Sequence, residues 1–210
     1  METRKMKKIQ RAYNETAVFY DERYYDIQIE KYNHIINYLM KKITAYKENK
    51  IVIADIGCGT GIFLEYLLNI LQNRFRYILK SKTTNIKYIG IDISSAMLNI
   101  FKDKLKQYRK CFIHAILLLG NGEHLPVGDQ FSDITVSFTT LQNVENRLLF
   151  IEELLRITKN NGILVITALR KNIDRHFLET IINTYRKAKI IKYGKILNFR
   201  REDIGLFIEL

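Results

Sequence analysis

Residues 51–68 decide the fold of this 210-residue chain, and they read Ile-Val-Ile-Ala-Asp-Ile-Gly-Cys-Gly-Thr-Gly-Ile-Phe-Leu-Glu-Tyr-Leu-Leu. The segment opens with a short, mostly apolar run from Ile51 to Ile56 that ends at a glycine, as is typical of a buried strand in a parallel sheet. Glycines then occupy positions 57, 59 and 61, and apolar residues recur at helical spacing from Phe63 to Leu71. The pattern predicts a strand, a glycine turn and a helix.

The glycine turn has the properties of a ligand-binding loop. Glycine permits a positive φ and a close approach of a ligand, and the first turn of a helix offers unpaired N–H groups. Asp55 ends the predicted strand at the crevice where open α/β sheets bind ligands, and its carboxylate suits a cationic or hydroxyl-rich ligand better than a phosphate. The sequence does not match the dinucleotide-binding fingerprint G-x-G-x-x-G, because Ile62 occupies the position of the third glycine. It also contains no match to the phosphate-binding loop G-x-x-x-x-G-K-[ST].

Length and composition favour one α/β domain that spans residues 1–210. The sequence contains no run of about eighteen apolar residues and its N-terminus is charged, so we expect neither a membrane span nor a secretory signal. Cys58, Cys111 and the four histidines lack metal-ligand or disulfide spacing. We therefore expect a cytoplasmic protein that has no metal site and does not bind a membrane.

The formal net charge is +12, with 34 basic and 22 acidic residues. Much of the excess lies in three basic runs, which suit a polyanionic partner and equally suit the solvated surface of a lysine-rich protein. Clustering in sequence does not establish clustering in space, so both readings stay open. The runs are Arg4, Lys5, Lys7, Lys8 and Arg11; Arg74, Arg76, Lys80, Lys82 and Lys87; and Arg186, Lys187, Lys189, Lys192, Lys195, Arg200 and Arg201.

A second acid follows a second predicted strand. The strand Ile86–Asp92 ends in a carboxylate, which can accept two hydrogen bonds from a ribose diol at the edge of the sheet. Ser94 or Ser95 is expected to cap the helix that follows. Asp92 is therefore a candidate ligand-binding residue beside the glycine turn.

The rest of the chain alternates between predicted helices and strands. Residues 8–46 predict one or two helices. The Lys-Asn-Asn-Gly at 159–162 predicts a turn before the fifth strand, with positive φ supplied by its Asn-Asn-Gly. The further predicted strands lie within Phe112–Leu119 and at Ile134–Ser137, Ile163–Thr167, Lys189–Phe199 and Ile204–Glu209, and the further predicted helices are Arg147–Thr158 and about Asp174–Ala188.

Two of these motifs together resemble those of class I S-adenosylmethionine-dependent methyltransferases. The segment Asp55-Ile-Gly57-Cys-Gly59-Thr-Gly61 is similar to the first motif of that family, and the strand that ends at Asp92 is similar to the second. The resemblance covers the chain from about residue 10. It implies an α/β fold with a doubly wound, mostly parallel, seven-stranded sheet that ends in an antiparallel C-terminal hairpin strand.

The resemblance also implies an N-terminal helical flap at residues 1–46, in which Tyr20-Asp21 and Tyr25-Asp26 both match a recurrent Tyr-Asp pair. The flap is rich in aromatic residues, which are Tyr13, Phe19, Tyr20, Tyr24 and Tyr25. In such enzymes the flap covers the cofactor, and the loop after the fourth strand faces the transferable methyl group. In that loop, Thr140 or Asn143 has the alternative role of capping the next helix. Asn121 stands where the family has an acid that meets adenine, and its side-chain oxygen can still accept from the adenine amino group.

The implied cofactor is S-adenosyl-L-methionine. The residues implied to bind it are Asp55, Gly57, Cys58, Gly59, Gly61, Asp92, Ile93, Asn121, Gly122 and Ser137, and those implied to contact the substrate are Tyr20, Thr139, Gln142 and Asn143.

The expected activity is methyl transfer to an acceptor that the sequence does not identify. The methyl group of a sulfonium is already activated, so positioning supplies most of the barrier reduction, and we assign no general base. The acceptor is a small molecule beneath the aromatic flap, or an RNA or translation protein docked on the basic runs, in the second case with an activator subunit. A non-catalytic cofactor-binding scaffold is a third reading, against which the intact Asp55, glycine triplet and Asp92 argue.

Overall fold

Helices lie on both faces of one sheet in the computed structural model, which describes residues 3–45, 50–74, 85–108, 113–199 and 203–210. Within these residues no helix combines the length and the apolar character needed to cross a membrane. The helices are α1 (Arg4–Thr16), α2 (Tyr20–Ala45), α3 (Ile62–Arg74), α4 (Ser95–Leu105), α5 (Arg147–Ile157) and α6 (Arg175–Lys187), with short 3-10 helices at Ala17–Phe19 and Lys106–Tyr108.

The described residues form a seven-stranded sheet. Its strands are β1 (Lys50–Ile56), β2 (Asn85–Asp92), β3 (Ile113–Leu119), β4 (Ser132–Ser137), β5 (Thr158–Leu169), β6 (Tyr193–Asn198) and β7 (Asp203–Glu209). They lie in the order β3-β2-β1-β4-β5-β7-β6. The first five are parallel, whereas β7 is antiparallel to both β5 and β6. The predicted doubly wound sheet with an antiparallel C-terminal hairpin is confirmed.

The central strand β1 contributes to two separate cores. Ile51 and Ile53 pack in a cluster with α2 and α3, whereas Val52 and Ala54 pack in a cluster with α5 and α6. Successive side chains of a strand point to opposite faces, so a strand between two helical layers must be apolar throughout. Every residue of β1 after Lys50 is buried, and this burial fixes the carboxyl end of the strand.

The predicted turn at residues 159–162 lies inside β5 and is wrong as a strand boundary. Ser132 pairs with the first residue of β5, but Ile134 already pairs with Ile163, so β5 carries extra residues opposite β4 as a bulge. Asn161 has a φ of 66°, a left-handed conformation that asparagine tolerates well. The positive φ predicted for this segment is present at Asn161, but it forms part of a bulge within β5 and not of a turn before the strand.

The predicted N-terminal flap consists of α1 and α2. Thr3 caps α1, because its side chain accepts the N–H of Met6. At the break between the helices, Ala17 is buried, and α2 then continues for 26 residues with Ile35 and Leu39 on its buried face. The assignment of residues 1–210 to one domain stays a prediction, and residues 46–49 lie outside the described part.

Two helix caps fix the loops at the carboxyl end of the sheet. Ser94 caps α4 as predicted, because its side chain accepts the N–H of Met97. Helix α5 is capped by Asn146, whose side chain accepts the N–H of Leu149 at 3.1 Å. The alternative in which Thr140 or Asn143 caps this helix is therefore wrong, which leaves both side chains available for other contacts.

The three basic runs are described only in part. The first lies on α1, where Arg4, Lys7, Lys8 and Arg11 are exposed. Of the third, Lys192 and Lys195 are exposed at β6. Cys111 and the basic residues Arg76, Lys80, Lys82, Arg200 and Arg201 lie outside the described residues.

A buried carboxylate joins the starts of three strands, and its removal tests how the sheet is held. The Asp133 side chain accepts the Val52 N–H at 2.8 Å and the Lys159 ammonium at 2.9 Å, and Asp133 is 3% exposed. We expect Asp133→Ala to lower the free energy of unfolding by about 2 kcal/mol, because a buried backbone N–H loses its partner. Urea denaturation followed by circular dichroism measures the change.

The matched control is Asp129→Ala. Asp129 pairs with Arg156, but its side chain is 76% exposed, so we expect a loss below about 1 kcal/mol. Equal losses in the two variants would contradict the role of Asp133.

Candidate functional site

The candidate site lies at the carboxyl ends of β1, β2 and β4. β2 and β4 flank β1 on opposite sides, so the chain reverses its winding direction here, and open α/β sheets bind ligands at such a point. A cavity, named here the strand-end cavity, occupies this position. Its walls include Gly57, Gly59, Asp92, Asn121, Gly122 and Thr139.

The three glycines of the turn all have positive φ, at 78°, 53° and 83°, but they face different surroundings. A Cβ atom on Gly57 would lie 2.1 Å from Oγ1 of Thr140, and one on Gly61 would lie 2.3 Å from the ring of Phe101. A Cβ atom on Gly59 would meet its nearest neighbour, Tyr20, only at 3.9 Å. Gly57 and Gly61 are therefore required by packing, whereas Gly59 leaves room for a ligand.

Asp92 holds the glycine turn and borders the strand-end cavity. Its carboxylate accepts the N–H of Gly59 and the N–H of Ser94, both at 2.8 Å. Burial raises the pKa of Asp92, and these backbone N–H donors oppose the rise. Each carboxylate oxygen can accept a second hydrogen bond, so the group can hold the turn and still bind a hydroxyl group of a ligand.

Asp55 is a buried carboxylate with a polar atom that lacks a protein partner. The hydroxyl of Tyr88 donates to Oδ2, while Oδ1 has no hydrogen-bond partner among the described residues. Burial raises the pKa of Asp55 to about 7, although the Tyr88 hydrogen bond opposes the rise. A buried oxygen of this kind favours a donor or a cation, as the amino group of the predicted cofactor would supply. On this observation the site fits S-adenosylmethionine.

Helix α1 lies across the opening of the strand-end cavity. Met6, Ile9 and Tyr13 line the cavity, and the side-chain amide of Gln10 donates to the backbone oxygen of Ile93 at 2.9 Å. The remaining space is about 80 Å³, well below the several hundred cubic ångströms usual for ligand pockets. These side chains of α1 therefore narrow the space that a ligand of cofactor size would occupy.

A second cavity of about 930 Å³ opens between α1, α2 and the loop that follows β4. It is named here the helical cavity. Ile9, Tyr13, Tyr20, Thr139 and Asn143 line both cavities. A group bound at the end of the sheet can therefore meet a second ligand across this junction.

Hydrogen bonds hold the residues of the junction in place. Thr139 has a φ of 58°, and its N–H donates to both the backbone oxygen and Oγ1 of Thr167 at 3.0 Å. A non-glycine residue keeps such a conformation only where its surroundings fix it. The amide of Asn143 donates to the Tyr13 hydroxyl at 2.7 Å, and the amide of Gln142 donates to the backbone oxygen of Thr139.

The two cavities carry opposite charge. The charged residues that line the strand-end cavity are the acids Asp92 and Glu123, and Asp55 lies in a small adjoining cavity. Among the described residues, the helical cavity is lined by three basic residues, Arg23, Lys31 and Lys171, and by the acid Asp203. The first cavity therefore favours a cationic ligand, and the second favours an anionic or electron-rich one.

The structure brings most of the predicted site residues together. Gly57, Gly59, Asp92, Ile93, Asn121 and Gly122 line the strand-end cavity, Asp55 and Cys58 line the small adjoining cavity, and Tyr20, Thr139, Gln142 and Asn143 line the helical cavity. Gly61 and Ser137 line none of these three cavities. Ser137 is fully buried and Cys58 packs against β2 at Gly90, so both contribute to the packing beneath the site.

Sequence reasoning missed several residues of the site. Glu123 is 5% exposed, and its carboxylate accepts the N–H groups of Glu145 and Asn146. Lys31 and Asp203 come from α2 and β7 and form a buried pair. These residues are distant in sequence, so no motif spacing predicts that they meet. The position of Lys31 on the apolar face of a predicted helix does indicate an unusual buried charge.

Comparisons with known proteins agree with this geometry. The methyltransferase domain family model matches residues 54–166. A ubiquinone/menaquinone biosynthesis C-methyltransferase of Campylobacter jejuni is 28% identical over 92% of this chain and 77% of its own length. A demethylmenaquinone methyltransferase of Thermotoga maritima is 28% identical over 70% of this chain and 56% of its own length. A solved S-adenosylmethionine-dependent methyltransferase from Aquifex aeolicus shares the fold, with a TM-score of 0.56 and 20% identity over 82% of this chain and 87% of its own.

The raised pKa of Asp55 predicts how the ligand-free protein responds to pH. The group has a pKa of about 7 in the folded state, against an ordinary value of 3.8, so the folded state holds the proton more tightly. The contribution of Asp55 to the free energy of unfolding is therefore fully present below about pH 4, and it is lost as the pH rises to about 7. Asn cannot ionise and still accepts the Tyr88 hydroxyl.

We expect Asp55→Asn to be more stable than the wild type at pH 8, by up to about 4 kcal/mol, since one pKa unit corresponds to about 1.4 kcal/mol. Urea unfolding at pH 5 and pH 8 measures the difference, which should shrink at the lower pH. Asp103→Asn is the control, because Asp103 is exposed and pairs with Lys106. A gain in stability that is independent of pH would contradict the prediction.

Proposed function

Because the chain belongs to the methyltransferase domain family and is an S-adenosylmethionine-dependent methyltransferase, we propose that it methylates a carbon atom of a small ring compound bound in the helical cavity. One observation carries this proposal. An acidic cavity and a basic cavity meet at Tyr13, Tyr20, Thr139 and Asn143. The first suits the cationic cofactor, and the second has the size of a small-molecule pocket.

We assign cofactor binding to the walls of the strand-end cavity. Asp92 would accept hydrogen bonds from the ribose, Asn121 and Gly122 would border the adenine, and Asp55 would face the amino group. When bound, the cofactor supplies a methyl group on a positively charged sulfur. The negative charge of these acids would favour the binding of a cationic ligand, and Gly59 would let that ligand approach the backbone.

The residues of the junction act by positioning. The hydrogen bond between Asn143 and Tyr13 joins the loop after β4 to α1, so closing the flap also sets the wall between the two ligands. Burial raises the pKa of both Tyr13 and Tyr20, and these phenols therefore stay neutral and do not serve as bases at neutral pH. The flap would also exclude water, which otherwise competes with the acceptor for the methyl group.

The carbon acceptor is proposed from the relatives. The Campylobacter protein is a C-methyltransferase of quinone biosynthesis, and it aligns with 92% of this chain. Hydroxylated rings are electron-rich at carbon and need little help from a base when the methyl donor is already activated. The helical cavity agrees with such a ring, since Ile9, Tyr13, Tyr20 and Tyr24 line it.

The third basic run lends little support to the RNA reading. Lys192 of the third basic run bonds to Asn161 near the start of β5, whereas the cavities lie at the other end of that strand, near Leu169. Eight residues of strand span about 26 Å, so a polyanion held at Lys192 would lie far from the junction. We further propose that no activator subunit is required, because residues of this chain line both cavities.

A methylation assay tests the acceptor. We expect the purified protein to transfer a labelled methyl group from S-adenosylmethionine to a ring carbon of a short-chain demethylmenaquinone in its reduced form. Mass spectrometry and NMR identify the product and the position of the methyl group, and the oxidised quinone is the matched control. Methylation at oxygen, or of added total RNA in place of the ring, would contradict the proposal.

A substitution at Gly59 tests the cofactor assignment. A Cβ atom on Gly59 would enter the strand-end cavity without striking protein atoms, so Gly59→Ala should fold with a loss of about 1 kcal/mol from the positive φ. We expect cofactor affinity by isothermal titration to fall at least about tenfold, a change of 1.4 kcal/mol. Gly128→Ala is the control, because nothing lies within 4 Å of its added methyl group. Wild-type affinity in Gly59→Ala would place the cofactor elsewhere.

A further inference from the structure

A buried ion pair forms part of the wall of the helical cavity. Lys31 on α2 and Asp203 at the start of β7 are each 2% exposed, and the lysine Nζ lies 3.0 Å from Oδ2 of Asp203. The same Nζ donates to Oγ1 of Thr139 at 2.6 Å. Burial lowers the pKa of Lys31, and the charge of Asp203 opposes that lowering.

This pair is poorly explained as a stabilising element. A buried ion pair often contributes no more stability than apolar residues of the same volume, because both charges lose their hydration. An ammonium group has three N–H donors, and the described contacts of Lys31 use two. Both residues line the cavity, so the third N–H can serve a bound ligand.

The charges around the pair favour an anion. Arg23 and Lys171 are exposed residues that line the same cavity, so the described residues of its wall include three basic side chains and one acid. The guanidinium of Arg23 also lies over the ring of Phe19, 5.6 Å from its centroid. An anionic oxygen is the strongest acceptor for an ammonium donor. The other ionisable groups that the described part of the chain places near Lys31 or on the cavity wall are Tyr13, Tyr20, Tyr24 and Glu30.

We propose that the helical cavity binds its acceptor as an oxyanion, the ionised hydroxyl of a phenol or an enol, on the ammonium group of Lys31. Asp203 and Thr139 are positioning residues that orient this ammonium. Thr139 also lines the strand-end cavity, so an oxygen on Lys31 leaves the neighbouring carbon of the acceptor close to the junction. The inference rests on the proposed function and names the substrate class of the same site.

The chemistry balances without a further reactant. The oxyanion delivers an electron pair through the ring to the carbon that attacks the methyl group, a carbon–carbon bond forms, and the sulfur–methyl bond breaks with its electrons left on sulfur. One anion and one sulfonium thus become two neutral molecules. The methylated carbon then loses its proton to water, and the oxygen regains one, which restores the hydroxyl with no net proton change.

A coloured phenol tests the oxyanion site without any methyl transfer. The probe is 4-nitrophenol, whose anion absorbs visible light, and 4-nitroanisole is the matched probe that cannot ionise. We expect the wild type to bind the anion about tenfold or more tightly than the neutral phenol, which lowers the apparent pKa of the bound probe by about one unit. Absorbance titrations from pH 5 to pH 9 measure this shift.

Lys31→Met should abolish the shift, and Lys41→Met should retain it, because Lys41 lies on the same helix but lines a different cavity. If Lys31→Met does not fold, Lys31→Met combined with Asp203→Asn removes both buried charges and provides the same comparison. An unshifted probe pKa in the wild type, failure of 4-nitrophenol to bind, or equal affinity for 4-nitroanisole would overturn the proposal.

The failure of this inference is distinguishable from that of the proposed function. If the quinone ring is methylated but Lys31→Met leaves the probe pKa unchanged from the wild type, carbon methylation stands and the oxyanion site is overturned. If the shift depends on Lys31 but the ring is not methylated, the oxyanion site is supported and the carbon acceptor is wrong.

Discussion

The site depends on one constraint, the backbone of the glycine turn at the end of β1. Three alternate residues have positive φ there, and the turn is pinned to β2, because Gly57 N–H donates to the backbone oxygen of Ile91 at 2.8 Å and Gly59 N–H donates to Asp92. Side chains at the outer two positions would strike Thr140 and Phe101. The turn therefore orders the loop after β4 and helix α4 while it leaves the centre open.

Around this turn the molecule separates charge. Asp55 and Asp92, at the ends of β1 and β2, are acidic residues at or beside the strand-end cavity. Arg23 and Lys31 of α2, together with Lys171, are basic residues that line the helical cavity. On the proposed function, the positively charged methyl donor and its acceptor would each face a wall of opposite charge, and the residues between them are tyrosine, threonine and asparagine. Positioning is the main contribution to methyl transfer from an activated donor, and hydrogen bonds of Thr139, Gln142 and Asn143 hold the junction in place.

The sequence predicted the fold well because its determinants are local. The glycine string, the apolar run of β1 and the acid that ends β2 lie within contiguous segments, and the periods of strand and helix follow directly from the chain. The predicted turn before β5 failed, since the bulge at Asn161 depends on pairing with β4. The cap of α5 at Asn146 was missed for a different reason. Thr140 and Asn143 are also of residue types that cap helices, so residue type alone did not identify the cap.

The sequence by itself determined the fold class, the family resemblance, the glycine turn and the acids Asp55 and Asp92, because residue type and spacing encode each of them. Only the tertiary structure decided that Gly59 alone of the three glycines faces open space, and that Met6 and Ile9 of α1 line the strand-end cavity. It also decided that Lys31 meets Asp203 beside Thr139. The physical reason is distance along the chain. Contacts between α2, β4 and β7 depend on how the sheet is wound and packed, and no local pattern records them.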